Sequence, residues 1–241
     1  MPKVSALYIY PIKGCAGLEV SGVRLSARGP LLDRHFVITD PSGQFLTQRQ
    51  LPALALIRPR LSPTQLVLEV EGMQKLALPL RGDGGARKRV RVWDDEIIGE
   101  SMGRFAAEWL GEFLGRPCEL FRQADDAVRP VDPEYSPEPA EVGFADAYLM
   151  LLTSRASLDA LNAHLTSAVP MDRFRPNVVV EGTAAYEEDS WSKIVIGDVP
   201  VDVVKPCSRC TVPSIDQRTG KSTGPDVLAA LARYRKRGNK T

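Results

Sequence analysis

The chain has 241 residues, of which 44% are hydrophobic and 25% charged, with a formal net charge of +1. This is enough apolar material to bury a real core, as one large β-rich domain or two small ones, and too even a charge balance for a broad basic field that would hold nucleic acid or an anionic membrane. No apolar run approaches the roughly 20 residues that cross a bilayer, no apolar h-region marks a signal peptide, and four cysteines do not make a secreted disulfide framework; the expectation is a soluble, cytoplasmic protein with reduced thiols.

From Val4 to about Val92 short apolar or alternating runs predict strands at Val4–Tyr10, Val20–Leu25, His35–Thr39, Leu54–Arg60, Gln65–Val70, Lys75–Leu80 and Arg89–Trp93. Turn-forming segments separate them, among them Asp40-Pro41-Ser42-Gly43 and the glycine-rich Gly82–Gly85, which reads as a hairpin turn. The pattern predicts a β-barrel-like unit over residues 1–95. From Ser101 to Leu114, Phe105, Trp109, Leu110 and Phe113 share one helical face, with Gly115 and Pro117 just beyond as a stop signal.

Gln123–Val142 is rich in proline and acid and reads as a long surface loop, a candidate lid or connector. The apolar run Tyr148–Leu152 follows, then Thr153-Ser154 capping a helix with Leu158, Leu161 and Leu165 on one face. Strands are expected at Val178–Val180, Ile194–Ile196 and Val199–Val204, and a last helix begins at Asp226. The fold class is therefore α+β and β-rich, with residues 96–241 as the second unit.

The densest chemistry lies in Lys205-Pro206-Cys207-Ser208-Arg209-Cys210. A Cys-x-x-Cys pair can be a thioredoxin-like redox couple, half of a zinc site, or two thiols of which one acts. Here a strand leads in and Thr211-Val212-Pro213 leads out, unlike a thioredoxin strand-to-helix junction. The other zinc candidates, Cys15, Cys118, His35 and His164, are scattered singly. A single thiolate on a soft metal, with Arg209 as a positive neighbour, stands beside the bland alternative of small apolar residues at a strand end.

A second cluster, Arg173-Phe174-Arg175-Pro176-Asn177, offers planar donors before a strand, or simply a charged lead-in. Tyr10-Pro11-Ile12-Lys13-Gly14-Cys15 sets a lysine at a turn where an anion could sit. Asp33-Arg34 and Thr47-Gln48-Arg49-Gln50 add further arginines. Gly82–Gly85 lacks the Gly-Lys-Ser/Thr of a phosphate loop, and neither histidine belongs to a readable Ser-His-Asp arrangement.

In this order, Tyr10-Pro11-Ile12-Lys13, Asp33-Arg34, Thr47-Gln48-Arg49-Gln50, Phe174-Arg175-Pro176-Asn177, Asp189-Ser190-Trp191 with Ile196-Gly197-Asp198, and Cys207-Ser208-Arg209-Cys210 with Asp216-Gln217-Arg218-Thr219-Gly220 resemble the MOSC proteins. The branch resembled carries an N-terminal MOSC β-barrel domain and includes amidoxime-reducing components and YcbX-type proteins. The resemblance implies a molybdenum cofactor, a molybdopterin-type pyranopterin, with Cys210 as the metal ligand and catalytic residue. It also implies cofactor contacts from Lys13, Gly14, Arg34, Arg175, Asn177, Ser208 and Arg209; for the MOSC superfamily at large, pyridoxal phosphate binding is a further implication.

The implied reaction is reduction of small N-hydroxylated substrates (hydroxylamines, amidoximes, N-hydroxylated base analogues). Electrons would come from an external transfer protein, either a ferredoxin or flavoprotein or a cytochrome b5-like partner, because the chain has no iron–sulfur spacing, flavin motif or nucleotide fingerprint. No nucleic acid or membrane partner is expected. The alternative is a sulfur or molybdenum-cofactor carrier with a persulfide on Cys210. The chain departs from the family pattern in having Gly14 where serine is frequent, and Ala147-Tyr148 after Asp146 where small hydroxyl residues are usual. It also stops at Thr241, so the final strands are expected to be missing or shortened, and the resemblance is to members without the ferredoxin domain that YcbX-type chains add.

Overall fold

Most of the alternating N-terminal runs do form strands: β1 (Lys3–Ile9), β2 (Leu18–Val20), β3 (Leu25–Ser26), β4 (Gly29–Pro30), β5 (Phe36–Thr39), β6 (Arg58–Leu61), β7 (Gln65–Glu69), β8 (Leu76–Pro79), β9 (Arg87–Val92) and β10 (Asp95–Ser101). Helix α1 (Arg104–Leu114) and β11 (Glu119–Gln123) follow. After a long irregular connection come β12 (Leu152–Ser154), α2 (Arg155–Asn162), β13 (Val178–Glu181), β14 (Lys193–Ile196), β15 (Val199–Asp202) and α3 (Asp226–Tyr234). The computed structural model describes residues 1–81, 84–134, 136 and 138–236. The fold is α+β and β-rich, as the sequence predicts.

Two sheets build the larger core. The order β5-β11-β10-β9 is antiparallel throughout, and β6-β7-β8 is an antiparallel meander. Ile12, Phe36, Ile38, Leu54, Leu66, Leu68, Leu110 and Leu120 form one apolar cluster there. A third sheet has the order β12-β13-β1-β2, with β12 and β13 parallel across α2 and β1 antiparallel to β13. The first strand of the chain is thus hydrogen-bonded to a strand near residue 180, and β10, which begins at Asp95, pairs with both β9 and β11.

Several expectations are corrected. Leu54–Arg60 is not one strand: Pro52 opens a 3₁₀ turn over Pro52–Leu56 that buries Leu54 and Ala55, and only then does β6 begin, because proline pre-sets φ for a helical first turn. On α1 the buried residues are Ala106, Trp109 and Leu110, whereas Phe105 is 70% exposed and lies against Arg104. The apolar face runs through 106, 109, 110 and 113, so residue 105 falls to its side. Gly115 closes the helix in the left-handed conformation, φ 66°.

The strands on either side of Gly82–Gly85, β8 and β9, belong to different sheets; the expected hairpin turn falls on Gly82 and Asp83, which lie outside the described residues. The Gln123–Val142 connection is more than a surface loop. Ala124, Ala127, Val131 and Arg129 are buried in it, and Pro130 bridges to Glu141. Arg129 explains this, since its guanidinium pairs with Asp95 at 2.7 Å and donates to the carbonyls of Gly143, Ala145 and Asp146.

His35, just before β5, meets the Phe36 ring edge-on at 5.2 Å. Burial, reinforced by the charges of Arg122 and Arg28, lowers its pKa from the ordinary 6.5 to about 4. The folded state keeps the imidazole neutral, so between those values the unfolded chain binds more protons and stability is lost as pH falls. Calorimetry from about pH 7 to pH 4.5 should therefore show a larger fall in Tm for the native chain than for His35→Gln.

Candidate functional site

Three cations and a phenol converge where the turn after β1, the turn before β5 and the lead-in to β13 meet. Tyr10 is 2% exposed, and the guanidinium carbons of Arg34 and Arg175 each lie 4.3 Å from its ring centre. Both arginines hold left-handed backbone, φ 45° and 54°, a conformation non-glycine residues keep only where surrounding contacts enforce it. Burial pushes the Tyr10 phenol up to about 12, against the pull of Arg175 and Arg34, so it stays protonated at neutral pH.

Arg34 and Arg175 differ in their partners. The Arg34 guanidinium donates to both carboxylate oxygens of Asp33 at 2.8 and 2.6 Å and to Asn177 Oδ1 at 3.0 Å. Burial is the largest influence and works to lower its pKa, but Asp33, Tyr10 and Asp146 together outweigh it and the pKa rises. Arg175 pairs with no carboxylate among the described residues; its nearest acceptor is Gln217 Oε1 at 3.4 Å. Burial lowers its pKa, with Tyr10 opposing and Arg34 adding repulsion. A half-buried guanidinium without a paired carboxylate is what an anionic ligand would complete.

Lys13, 7% exposed, reaches Asp146 Oδ1 at 2.5 Å. Burial draws its pKa below the ordinary lysine value, while Asp146 holds it up. For Asp146, burial works upward, and Lys13, together with the Trp93 indole N–H, holds the carboxyl well below the usual range. Because 76% of the Asp146 side chain is solvent-exposed, direct contact with Lys13, and not burial, decides its charge. Gly14 has φ +84°, which favours glycine, and its carbonyl accepts from Gln48 Nε2 at 2.6 Å.

Asn177 makes every hydrogen bond it can. Its Oδ1 accepts from Arg34 and from the Leu151 backbone N–H, and its Nδ2 donates to the Tyr8 carbonyl and to Asp33. It thereby fixes Arg34 and Asp33 against the start of β13. Gln48 and Gln217 form a reciprocal amide pair at 3.0 and 2.9 Å. Both glutamines stand in motifs that are readable in the sequence but imply no role for them there, and no motif points to Trp93 or to the Lys13–Asp146 pair.

The cysteine pair lies on an irregular segment after β15, with both thiols exposed. A short 3₁₀ turn, Val212–Ser214, follows it, and the next α-helix among the described residues begins only at Asp226, unlike a thioredoxin strand-to-helix junction. Cys207 Sγ donates only to the neighbouring Ser208 carbonyl at 3.5 Å, and Ser208 is exposed. Arg209 lies 5.2 Å from the Phe174 ring centre. Buried Arg173 pairs with Asp216 at 2.9 Å and donates to the Pro213 carbonyl and Thr223 Oγ1. The segment bearing Cys210 is therefore tied at Arg209 and at Pro213–Asp216 to the same lead-in that carries Arg175.

Among the described residues no three histidine, cysteine or acidic groups cluster as a metal site. Cys15 and Cys118 are buried, and burial pushes their thiols up to about 12 and about 11. Titration of the native protein with Ellman's reagent should show two fast thiols, both lost in Cys207→Ser/Cys210→Ser, and two that react only after unfolding.

Fold and site together define a β-rich protein with a cluster of three cations, Lys13, Arg34 and Arg175, around Tyr10, and an exposed thiol pair on a segment tied to the lead-in that carries Arg175. Family models match the chain along most of its length: the MOSC N-terminal beta barrel domain over residues 1–117 and the MOSC domain over residues 139–241. The chain belongs to the MOSC proteins that carry the N-terminal MOSC beta barrel domain, and so to a molybdenum-cofactor-related family. Mitochondrial amidoxime-reducing component 1 of Mus musculus is 34% identical over 249 residues, covering 96% of this chain and 71% of that protein. The Homo sapiens protein of that name is 33% identical, covering 96% and 72%. Molybdenum cofactor sulfurase of Bos taurus is 31% identical over 255 residues, covering 97% of this chain and 29% of that larger protein. No helix among the described residues is long and apolar enough to cross a membrane.

Proposed function

We propose that the chain is a molybdenum-cofactor-dependent reductase of N-hydroxylated compounds, fed with electrons by a separate redox protein. The observation that carries this reading is the exposed Cys210 thiol, tethered through Arg209 and Phe174 to the segment that presents Arg175. The residues fit the cofactor: one soft thiolate suits a metal whose other sulfur ligands come from an organic dithiolene, and the carboxylate-free Arg175 with Lys13 and Arg34 suits its phosphate.

Cys210 would ligate the metal. Lys13, Arg34 and Arg175 would hold the phosphate, the Gly14 backbone N–H and the Ser208 and Arg209 donors would meet cofactor edges, and Asn177 would position Arg34. When bound, the cofactor would supply two-electron reduction of the N–O group, which with two electrons from the separate redox protein and two protons gives the amine or amidine and water. Arg34 is fixed by Asp33 and Asn177 before any ligand arrives, so little ordering would be needed on binding.

A second reading has an observation in its favour: an exposed Cys210 also suits a carrier that delivers a persulfide sulfur or the cofactor to another enzyme. Molybdenum analysis and pterin fluorescence, on protein made in a host competent for cofactor synthesis, separate the two. About one molybdenum per chain is the reductase result; a chain without molybdenum but with cyanide-labile sulfur on Cys210 would establish the carrier.

A further inference from the structure

Two donors from distant parts of the chain converge on one carboxylate oxygen. Lys13 Nζ lies 2.5 Å from Asp146 Oδ1, and the Trp93 indole N–H donates to the same atom at 3.1 Å. Trp93 occupies the tight turn between β9 and β10 in a left-handed conformation, φ 58°, which a bulky residue adopts only under constraint. Its ring is held by Phe45 edge-on at 5.0 Å and by the Arg49 guanidinium at 4.7 Å. Lys13 in turn lies 5.2 Å from the Phe45 ring centre, so both donors share one aromatic support.

The acceptor is the solvent-exposed side of this arrangement. Lys13 is buried, whereas the Asp146 side chain is 76% exposed, on an irregular segment clamped by Arg129 through its backbone carbonyls and not through its carboxylate. Exchange of that carboxylate for another oxyanion leaves the clamp untouched. Among the described residues the acids acting on Lys13, Arg34 and Arg175 are Asp33, Asp146 and, at Arg175, Asp172, while Arg129 adds a further positive charge at Lys13; Asp33 is fully engaged by Arg34, Asn177 and the Tyr10 N–H. The surroundings thus favour an anion carrying more charge than a carboxylate.

We infer that Lys13 Nζ and Trp93 Nε1 form a two-donor oxyanion site for a phosphomonoester, in which Asp146 is the resident anion that the ligand displaces. The inference rests on Lys13 being a cofactor-phosphate contact and adds to that reading a second donor and an internal competitor. The competitor sets specificity. A phosphate dianion out-competes the Asp146 carboxylate at Lys13, while a carboxylate ligand, with the same charge as Asp146, gains nothing by exchange.

Inorganic phosphate titrated into the full chain, followed by the ¹H–¹⁵N signals of its three indole N–H groups, tests this. One indole signal, absent in Trp93→Phe, is expected to move saturably with phosphate and to stay still with acetate at equal ionic strength. In Asp146→Asn, which keeps the shape and removes the charge, the midpoint is expected at about tenfold lower phosphate. A Trp93 signal that phosphate does not move, one that acetate moves equally, or an Asp146→Asn midpoint that is unchanged or higher would overturn the inference. Calorimetric phosphate binding by Lys13→Met separates the two levels: loss of binding there with an unmoved Trp93 signal leaves the Lys13 reading standing alone, and unaltered binding removes both.

Discussion

Cys210→Ser, loaded in a cofactor-competent host, is expected to lose turnover of a hydroxylamine by about two orders of magnitude or more, while Cys207→Ser loses no more than about tenfold. The asymmetry has a chemical ground. A serine hydroxyl is a hard, weakly acidic donor that cannot replace a thiolate on a soft metal centre. Cys207 has no role in the tether that joins the segment to the Arg175 lead-in; its thiol meets only the next residue's carbonyl. Cys210 lies one residue after Arg209, whose guanidinium is seated against Phe174, and three before Pro213, whose carbonyl is bonded by Arg173. Because both thiols are exposed, neither substitution should cost more than about 0.5 kcal/mol of stability. Urea melts that superimpose for the two variants, with turnover lost in one, would identify the ligand. Equal loss in both would mean that the thiols act as a pair.

The N-terminal strands were legible because half-buried antiparallel strands alternate. Gln65–Glu69 and Leu76–Pro79 fall almost where the pattern of apolar residues puts them. β10 and β11 were not legible. Asp95–Ser101 carries three acids and Glu119–Gln123 is charged at two of five positions, yet the buried Arg122 pairs with Glu100 and Asp125, so charge that reads as loop is satisfied inside a sheet. At the site, residue identities were legible and partnerships were not. Asn177 could be singled out as a planar donor, but its complete engagement depends on Leu151, 26 residues away, and on Tyr8, Asp33 and Arg34, each over 140 residues away. Trp93 and Asp146 meet only because β9–β10 and the Arg129-clamped segment are folded against the turn after β1. Periodicity carries no information about such meetings.

Asp33→Ala is expected to destabilise the fold by about 3–5 kcal/mol, the cost of stripping one partner from a buried ion pair. The Asp33 side chain is 3% exposed and that of Arg34 14%. Removing the carboxylate leaves the guanidinium with the Asn177 and Arg175 carbonyl-type oxygens as its acceptors, and it orphans the Tyr10 N–H and one Asn177 N–H, bonded at 2.8 and 3.0 Å. Arg34 also stands at φ 45°, a conformation worth about 1–3 kcal/mol of strain that these contacts sustain. Against a typical total of about 5–15 kcal/mol, the loss is large enough to show as a much earlier urea midpoint. Asp33→Asn keeps an oxygen for Tyr10 N–H and removes only the charge, so it should lose about 1.5–3 kcal/mol. The difference between the two variants measures the orphaned donors, and the remainder measures the charge on Arg34. A loss below about 1 kcal/mol in Asp33→Ala would mean that Arg34 finds water or another anion; the cationic cluster would then be held open by solvent, with no need of the Asp33–Asn177 frame.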